Sequence, residues 1–116
     1  MKYMLMMFGN AGEMMEVQSP EWIRDMIGFM TRLDVELTEN GEMVFNAGLA
    51  DSTAAKLVHA DGLVTDGPYA EAKESLIGFW ILDVASEERI TEIATSIAKY
   101  SRIVEVRPVA EAPPEV

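Results

Sequence analysis

Ile77-Gly78-Phe79-Trp80-Ile81-Leu82-Asp83-Val84 is the stretch on which the fold turns. Read as a strand, its alternate sets are Ile77/Phe79/Ile81 and Gly78/Trp80/Leu82/Val84, and neither is polar before Asp83. A strand without a polar side is covered on both faces. Lys2 to Phe8 has the same character, with Tyr3/Leu5/Met7 on one side and Met4/Met6/Phe8 on the other.

Between these two strands, Ser19-Pro20 reads as a helix start, with serine capping and proline at the first helical position. The helix is predicted over 20–39, since Ile23, Met26, Ile27, Met30, Leu33 and Leu37 recur at helical spacing and Asn40-Gly41 supplies a left-handed stop. Met43 to Ala50 reads as a strand with Met43, Phe45, Ala47 and Leu49 on one side. Lys56 to Ala60 and Leu63 to Thr65 flank Asp61-Gly62, a pair suited to a two-residue hairpin turn. Ser86-Glu87-Glu88 starts a second helix whose buried stripe is Ile90, Ile93, Ala94 and Ile97. Arg102 to Val109 is the last strand, which places the domain at 1–109 and a tail at 110–116.

This order predicts an α+β ferredoxin-like sandwich, an antiparallel sheet with both helices on one face and an extra hairpin. The other face then needs a cover that the chain itself does not supply. A second copy, sheet against sheet, makes a homodimeric α/β barrel with a pocket between the sheets. Val104 and Val106 are expected towards the helices, and Glu105 and Arg107 on the opposite face. Arg107 there calls for an anionic partner, either Glu71 or Glu74 or a ligand carboxylate.

Composition narrows the function classes. The 116 residues carry 20 acidic against 9 basic side chains, a formal charge of −11 that repels nucleic-acid backbones. No basic cluster offsets it, so no nucleic acid is expected as a partner. The apolar runs are too short for a membrane span, and the lack of cysteine fits a reducing cytoplasm and leaves no thiolate chemistry. Clustered histidines and a Gly-rich phosphate loop are also missing from the sequence, so no metal or other cofactor is expected.

The loop Thr65-Asp66-Gly67-Pro68-Tyr69-Ala70-Glu71-Ala72-Lys73-Glu74, then Gly78-Phe79-Trp80, then Val104-Glu105-Val106-Arg107-Pro108-Val109, resembles the DGPF-type branch of the YCII-related proteins. The opening Met1 to Leu5, the Ser19-Pro20-Glu21 helix start and Asp61 to Thr65 extend the resemblance over almost the whole chain. It implies the dimeric α/β-barrel superfamily, a branch mostly without assigned reactions, and genes that often accompany sigma factors. Tyr69 stands where the branch usually has Phe, Ala72 replaces Thr, and Ser75-Leu76-Ile77 replaces Gln-Leu-Gly. The wider group carries a histidine near the start of its first helix, where this chain has Trp22, Ile23 and Arg24; His59, its only histidine, does not match.

Two kinds of function fit. One is a module binding a small, possibly anionic, organic molecule, with Tyr69, Glu71, Lys73, Phe79 and Arg107 as contacts and a transcriptional regulator as a conceivable partner. The other is a cofactor-independent enzyme, lyase- or isomerase-like, with Asp66 as general acid or base. The binding reading is preferred because the histidine is missing.

Overall fold

The computed structural model of the chain describes residues 1–10, 16–69 and 74–112. Six strands and two long helices follow in the order β1 (Lys2–Gly9), α1 (Pro20–Glu39), β2 (Met43–Gly48), β3 (Lys56–Val58), β4 (Val64–Asp66), β5 (Ser75–Asp83), α2 (Glu87–Ser101) and β6 (Val104–Pro108), with a short 3₁₀ turn at Ser52–Ala54.

Local chemistry sets the helix ends. Ser19 Oγ accepts from Trp22 N–H at 3.1 Å, with Pro20 inside the first turn. Gly41, at φ +71°, closes α1: its N–H donates to Thr38 C=O at 3.1 Å and Glu42 N–H to Leu37 C=O at 2.8 Å. That is the paired bonding of a Schellman cap. Ser86 Oγ likewise accepts from Arg89 N–H at 3.1 Å, and Glu87 and Glu88 put negative charge at the positive end of α2. Ser86→Ala is expected to lower unfolding stability by about 1 kcal/mol, measured by urea denaturation.

β2, β5, β1 and β6 form an antiparallel sheet in that order, while β3 and β4 make a separate two-stranded sheet. Both helices lie on one side, where Tyr3, Leu5, Trp80 and Leu82 meet Leu33 and Leu37 of α1 and Ile90, Ile93 and Ile97 of α2. Leu5, Leu37, Leu82 and Ile97 are fully buried. Trp22, Phe29 and Tyr100 join the helices through ring contacts of 5.6 and 5.1 Å.

Two β-bulges alter the simple alternation. Opposite Phe8 the ladder skips Ile77, so Ile77 packs on the helix-side core and Leu76 takes its place on the other face. An extra residue at Val44 in β2 leaves Met43 facing the helices and Phe45 facing away, splitting the side that alternation assigns to both. The hairpin also differs from expectation: His59 N–H donates to Leu63 C=O and Gly62 N–H to His59 C=O, with Gly62 at φ +89°. This makes a three-residue loop, Ala60 to Gly62, because only the glycine takes a positive φ.

The remaining sheet face carries Met4, Phe8, Phe79 and Ile81, half-buried, beside Phe45, which is 54% exposed. Neither helix covers it. Val58, Leu63 and Val64 are exposed on the hairpin, and the radius of gyration, 16.3 Å, exceeds the about 13 Å of a compact domain of this length.

Candidate functional site

Asp66 ends β4, and its carboxylate meets Lys56 Nζ across the hairpin at 2.8 Å. The pair is open to water, Asp66 being 87% exposed. Gly67 follows at φ +101°, and its N–H donates to Ala55 C=O at 2.8 Å, so the turn is held by backbone bonding. Tyr69 is 93% exposed. Glu71 and Lys73 lie outside the described residues.

Arg107 does stand on the helix-free face, opposite Met4, as the strand alternation requires. Its neighbour is Glu105, two residues earlier, with Arg107 Nη2 2.7 Å from Glu105 Oε2, an ion pair without hydrogen-bond alignment. Glu74, the other candidate counter-ion among the described residues, pairs instead with Arg102. Phe79 lies on the same face and packs against Phe45, ring centroids 5.9 Å apart. His59 Nε2 sits 3.3 Å from Thr65 Oγ1 at the surface of the hairpin. In the single chain, Asp66, Tyr69 and Arg107 therefore do not form one enclosed constellation.

A different place is concave and apolar, though open to solvent. Between α1 and the β2–β5 side of the sheet lies a pocket of about 270 Å³, walled by Met26 and Met30 from the helix and Met7, Ile77 and Trp80 from the sheet. The helix supplies methionines at i and i+4, and the bulge at Ile77 turns one more apolar side chain inward. A cavity of about 150 Å³ lined by apolar groups holds benzene, so this one has room for a substituted ring.

Its polar groups are few and specific. Asp34 continues the Met26–Met30 row by four more residues, and its Oδ1 accepts from Asn46 Nδ2 at 2.9 Å, linking α1 to β2 at the pocket wall. Trp80, only 6% exposed, also lines the pocket, but its indole Nε1–H, which has no acceptor, is sealed from solvent and is not presented to the pocket space. A buried donor left unpaired costs about 1–3 kcal/mol. No Lys or Arg lines the pocket.

The most strongly perturbed ionisable groups lie elsewhere. Arg89 on α2 forks onto Glu42, Nε to Oε2 at 2.9 Å and Nη2 to Oε1 at 2.8 Å. That bidentate bond, with the charge of Arg89, holds the Glu42 carboxyl below its ordinary 4.5, and Glu42 in turn raises Arg89. Glu36 and Glu92 complete the cluster on the outer side. It pins α2 to the turn after α1 and has the character of a structural clamp. Among the described residues no group of three or more His, Cys, Asp or Glu is disposed to hold a metal ion, and no helix is long and apolar enough to cross a membrane.

The sequence reading passed over the pocket. Its one local signal was Asp34, a carboxylate spaced four residues beyond Met30 on an otherwise apolar row.

Compared with known proteins, the chain matches the family model described as YCII-related domain over residues 1–113. An uncharacterized protein of Rhizobium meliloti (strain 1021) is 38% identical over 78 residues, which cover 62% of this chain. The match spans 63% of that relative's own length.

Proposed function

The chain belongs to the YCII-related family, and from that starting point we propose that it is a binding protein for a small organic molecule, held in the pocket beneath α1 of each subunit of a homodimer. The observation that carries the reading is about 270 Å³ of methionine-, isoleucine- and tryptophan-lined space with the Asp34–Asn46 pair as its polar wall. Pockets that hold small molecules have this make-up, mostly apolar walls with a few placed polar groups. Methionine walls adapt to ligand shape at little cost.

A second copy supplies what the sheet lacks. Met4, Phe8, Phe79 and Ile81 form an apolar face, and Val58, Leu63 and Val64 are exposed on the separate hairpin. A self-complementary twofold pairing hides both at once.

The test is calorimetric or NMR titration with ethylbenzene as probe, for which a dissociation constant on the order of 0.1–1 mM is expected from its size. Met26→Trp, which pushes an indole into the mouth, is expected to abolish binding while leaving the far-ultraviolet circular dichroism unchanged. Asp66→Asn is expected to leave the affinity as it is. Equal affinity in the Met26→Trp protein would put the ligand elsewhere.

A second reading is favoured by one observation, that Arg107 and Phe79 share the helix-free face. In the paired sheets that face borders a chamber, in which Arg107 would meet a ligand carboxylate and Asp66, Tyr69, Glu71 and Lys73 of the charged loop would furnish contacts or acid–base chemistry. Arg107→Ala separates the readings, for it should weaken binding of benzoate under the second and change nothing under the first.

A further inference from the structure

We infer that the molecule held beneath α1 is an organic cation, a protonated amine on an apolar body of ring size, whose ammonium group meets the Asp34 carboxylate; this rests on the pocket reading above and narrows it. Position comes first. Asp34 stands on α1 one turn beyond Met30, and its Oδ1 accepts from Asn46 Nδ2 of β2 at 2.9 Å, so the carboxylate lies in the gap between helix and sheet that the pocket occupies. The second oxygen is available. Oδ2 of this half-buried side chain has no hydrogen-bond partner among the described residues and is not one of the polar atoms sealed from water, in contrast to Trp80 Nε1 and Glu105 Oε2.

Nothing nearby balances that charge. Among the described residues no Lys, Arg or His forms an ion pair with Asp34, and the lining holds no basic side chain. A carboxylate at the edge of apolar space attracts a cation through a charge-assisted hydrogen bond, whereas an anion meets both repulsion and the cost of leaving water. The formal charge of −11 draws cations towards the whole molecule as well. The apolar body has its own room. Gly78 belongs to the inward Trp80/Leu82 row yet carries no side chain, and it pairs with Met7 of β1 and Gly48 of β2, so the sheet leaves space opposite Met26 and Met30.

Three probes of one shape decide the matter: phenethylamine, protonated at neutral pH as a lysine side chain is, phenethyl alcohol, which is neutral, and phenylacetate, an anion. The amine is expected to bind about tenfold more tightly than the alcohol, the ratio one charge-assisted hydrogen bond at a half-buried carboxylate gives, and to lose that lead at high salt. Phenylacetate should be the weakest. In a ¹⁵N-labelled sample the amine should also shift the side-chain amide signals of Asn46, which shares the carboxylate. Asp34→Asn, nearly the same in shape, should bring the amine level with the alcohol; if that variant does not fold, the wild-type ranking, its salt dependence and the Asn46 shift still decide. Met26→Trp should abolish amine binding, and an amine bound as well in that variant would be attracted by the acidic surface at large, which overturns the inference. Equal binding of amine and alcohol, or an amine lead that survives Asp34→Asn, would overturn the cation and leave the pocket reading standing, since ethylbenzene tests that reading separately. No binding by ethylbenzene or by any of the three would overturn both this inference and the pocket reading beneath it.

Discussion

Arg89→Ala should lower the free energy of unfolding by about 2–3 kcal/mol at pH 7, because a charge-assisted fork is lost and its carboxylate keeps only the long bond from Asn40 Nδ2. Glu42 is only 13% exposed, so water does little to replace the guanidinium. Glu36 and Glu92 are exposed at 57% and 71%, and their share is small. For a domain of this size the loss corresponds to a fall in Tm of roughly 10 °C. The pH dependence has a definite sign. Glu42 titrates below 4.5 in the folded chain and near it when unfolded, so its contribution is complete above the unfolded value and disappears as the pH falls through the folded one. Urea denaturation should show the wild type and Arg89→Ala well separated at neutral pH and converging in acid. A gap that stays constant down to pH 2 would mean that Arg89 acts through packing of its stem and not through Glu42.

Phe45→Glu should turn the proposed homodimer into monomers. Phe45 is exposed at the side of the helix-free face, so a single chain tolerates a carboxylate there. Paired sheets do not, and a twofold interface meets the new charge twice. Four strands about 4.8 Å apart, each roughly seven residues long, give a face of about 19 by 23 Å, to which the hairpin adds. The face alone is about 440 Å², roughly half of the about 800 Å² per partner of a standard interface, so the hairpin has to supply much of the rest. The affinity should drop at least about a hundredfold, or some 3 kcal/mol. Sedimentation velocity reads it directly, with the wild type at twice 12.8 kDa and the variant at 12.8 kDa at micromolar concentration. A folded wild-type monomer under these conditions would remove the dimer.

The fold was legible where local chemistry determines it. Ser19-Pro20 and Asn40-Gly41 give the bounds of α1, and Ser86 gives the start of α2, because caps are contacts within a few residues. The order of the elements correctly put both helices on one side of an antiparallel sheet, and Val104 and Glu105 fall on the faces that alternation assigns them. The bulges at Val44 and Ile77 were hidden, since a bulge belongs to the register between two strands and not to either alone. Arg89 and Glu42 lie 47 residues apart, beyond any local pattern.

The site was less legible for a related reason. The loop 64–74 attracts notice by its charge, yet Asp66 and Tyr69 stand in water and Arg107 answers to Glu105. The pocket is made of residues that read as ordinary core, Met26, Met30 and Trp80. A cavity is the space that packing fails to fill, and volume of that kind has no motif. Asp34 was visible as a polar break in an apolar row, and its bond to Asn46 appears only once β2 lies beside α1.

Methionine placement allows one measurement to locate the ligand. Met7, Met26 and Met30 line the pocket beneath α1, whereas Met4 and Met6 lie on the opposite side of the same sheet, where paired chains would enclose a chamber. With the methionine methyl groups ¹³C-labelled, a saturable shift of the Met7, Met26 and Met30 signals on adding ethylbenzene, with Met4 and Met6 still, is the expected result. Shifts confined to Met4 and Met6, or no saturable shift in the millimolar range, would contradict a binding site beneath the first helix.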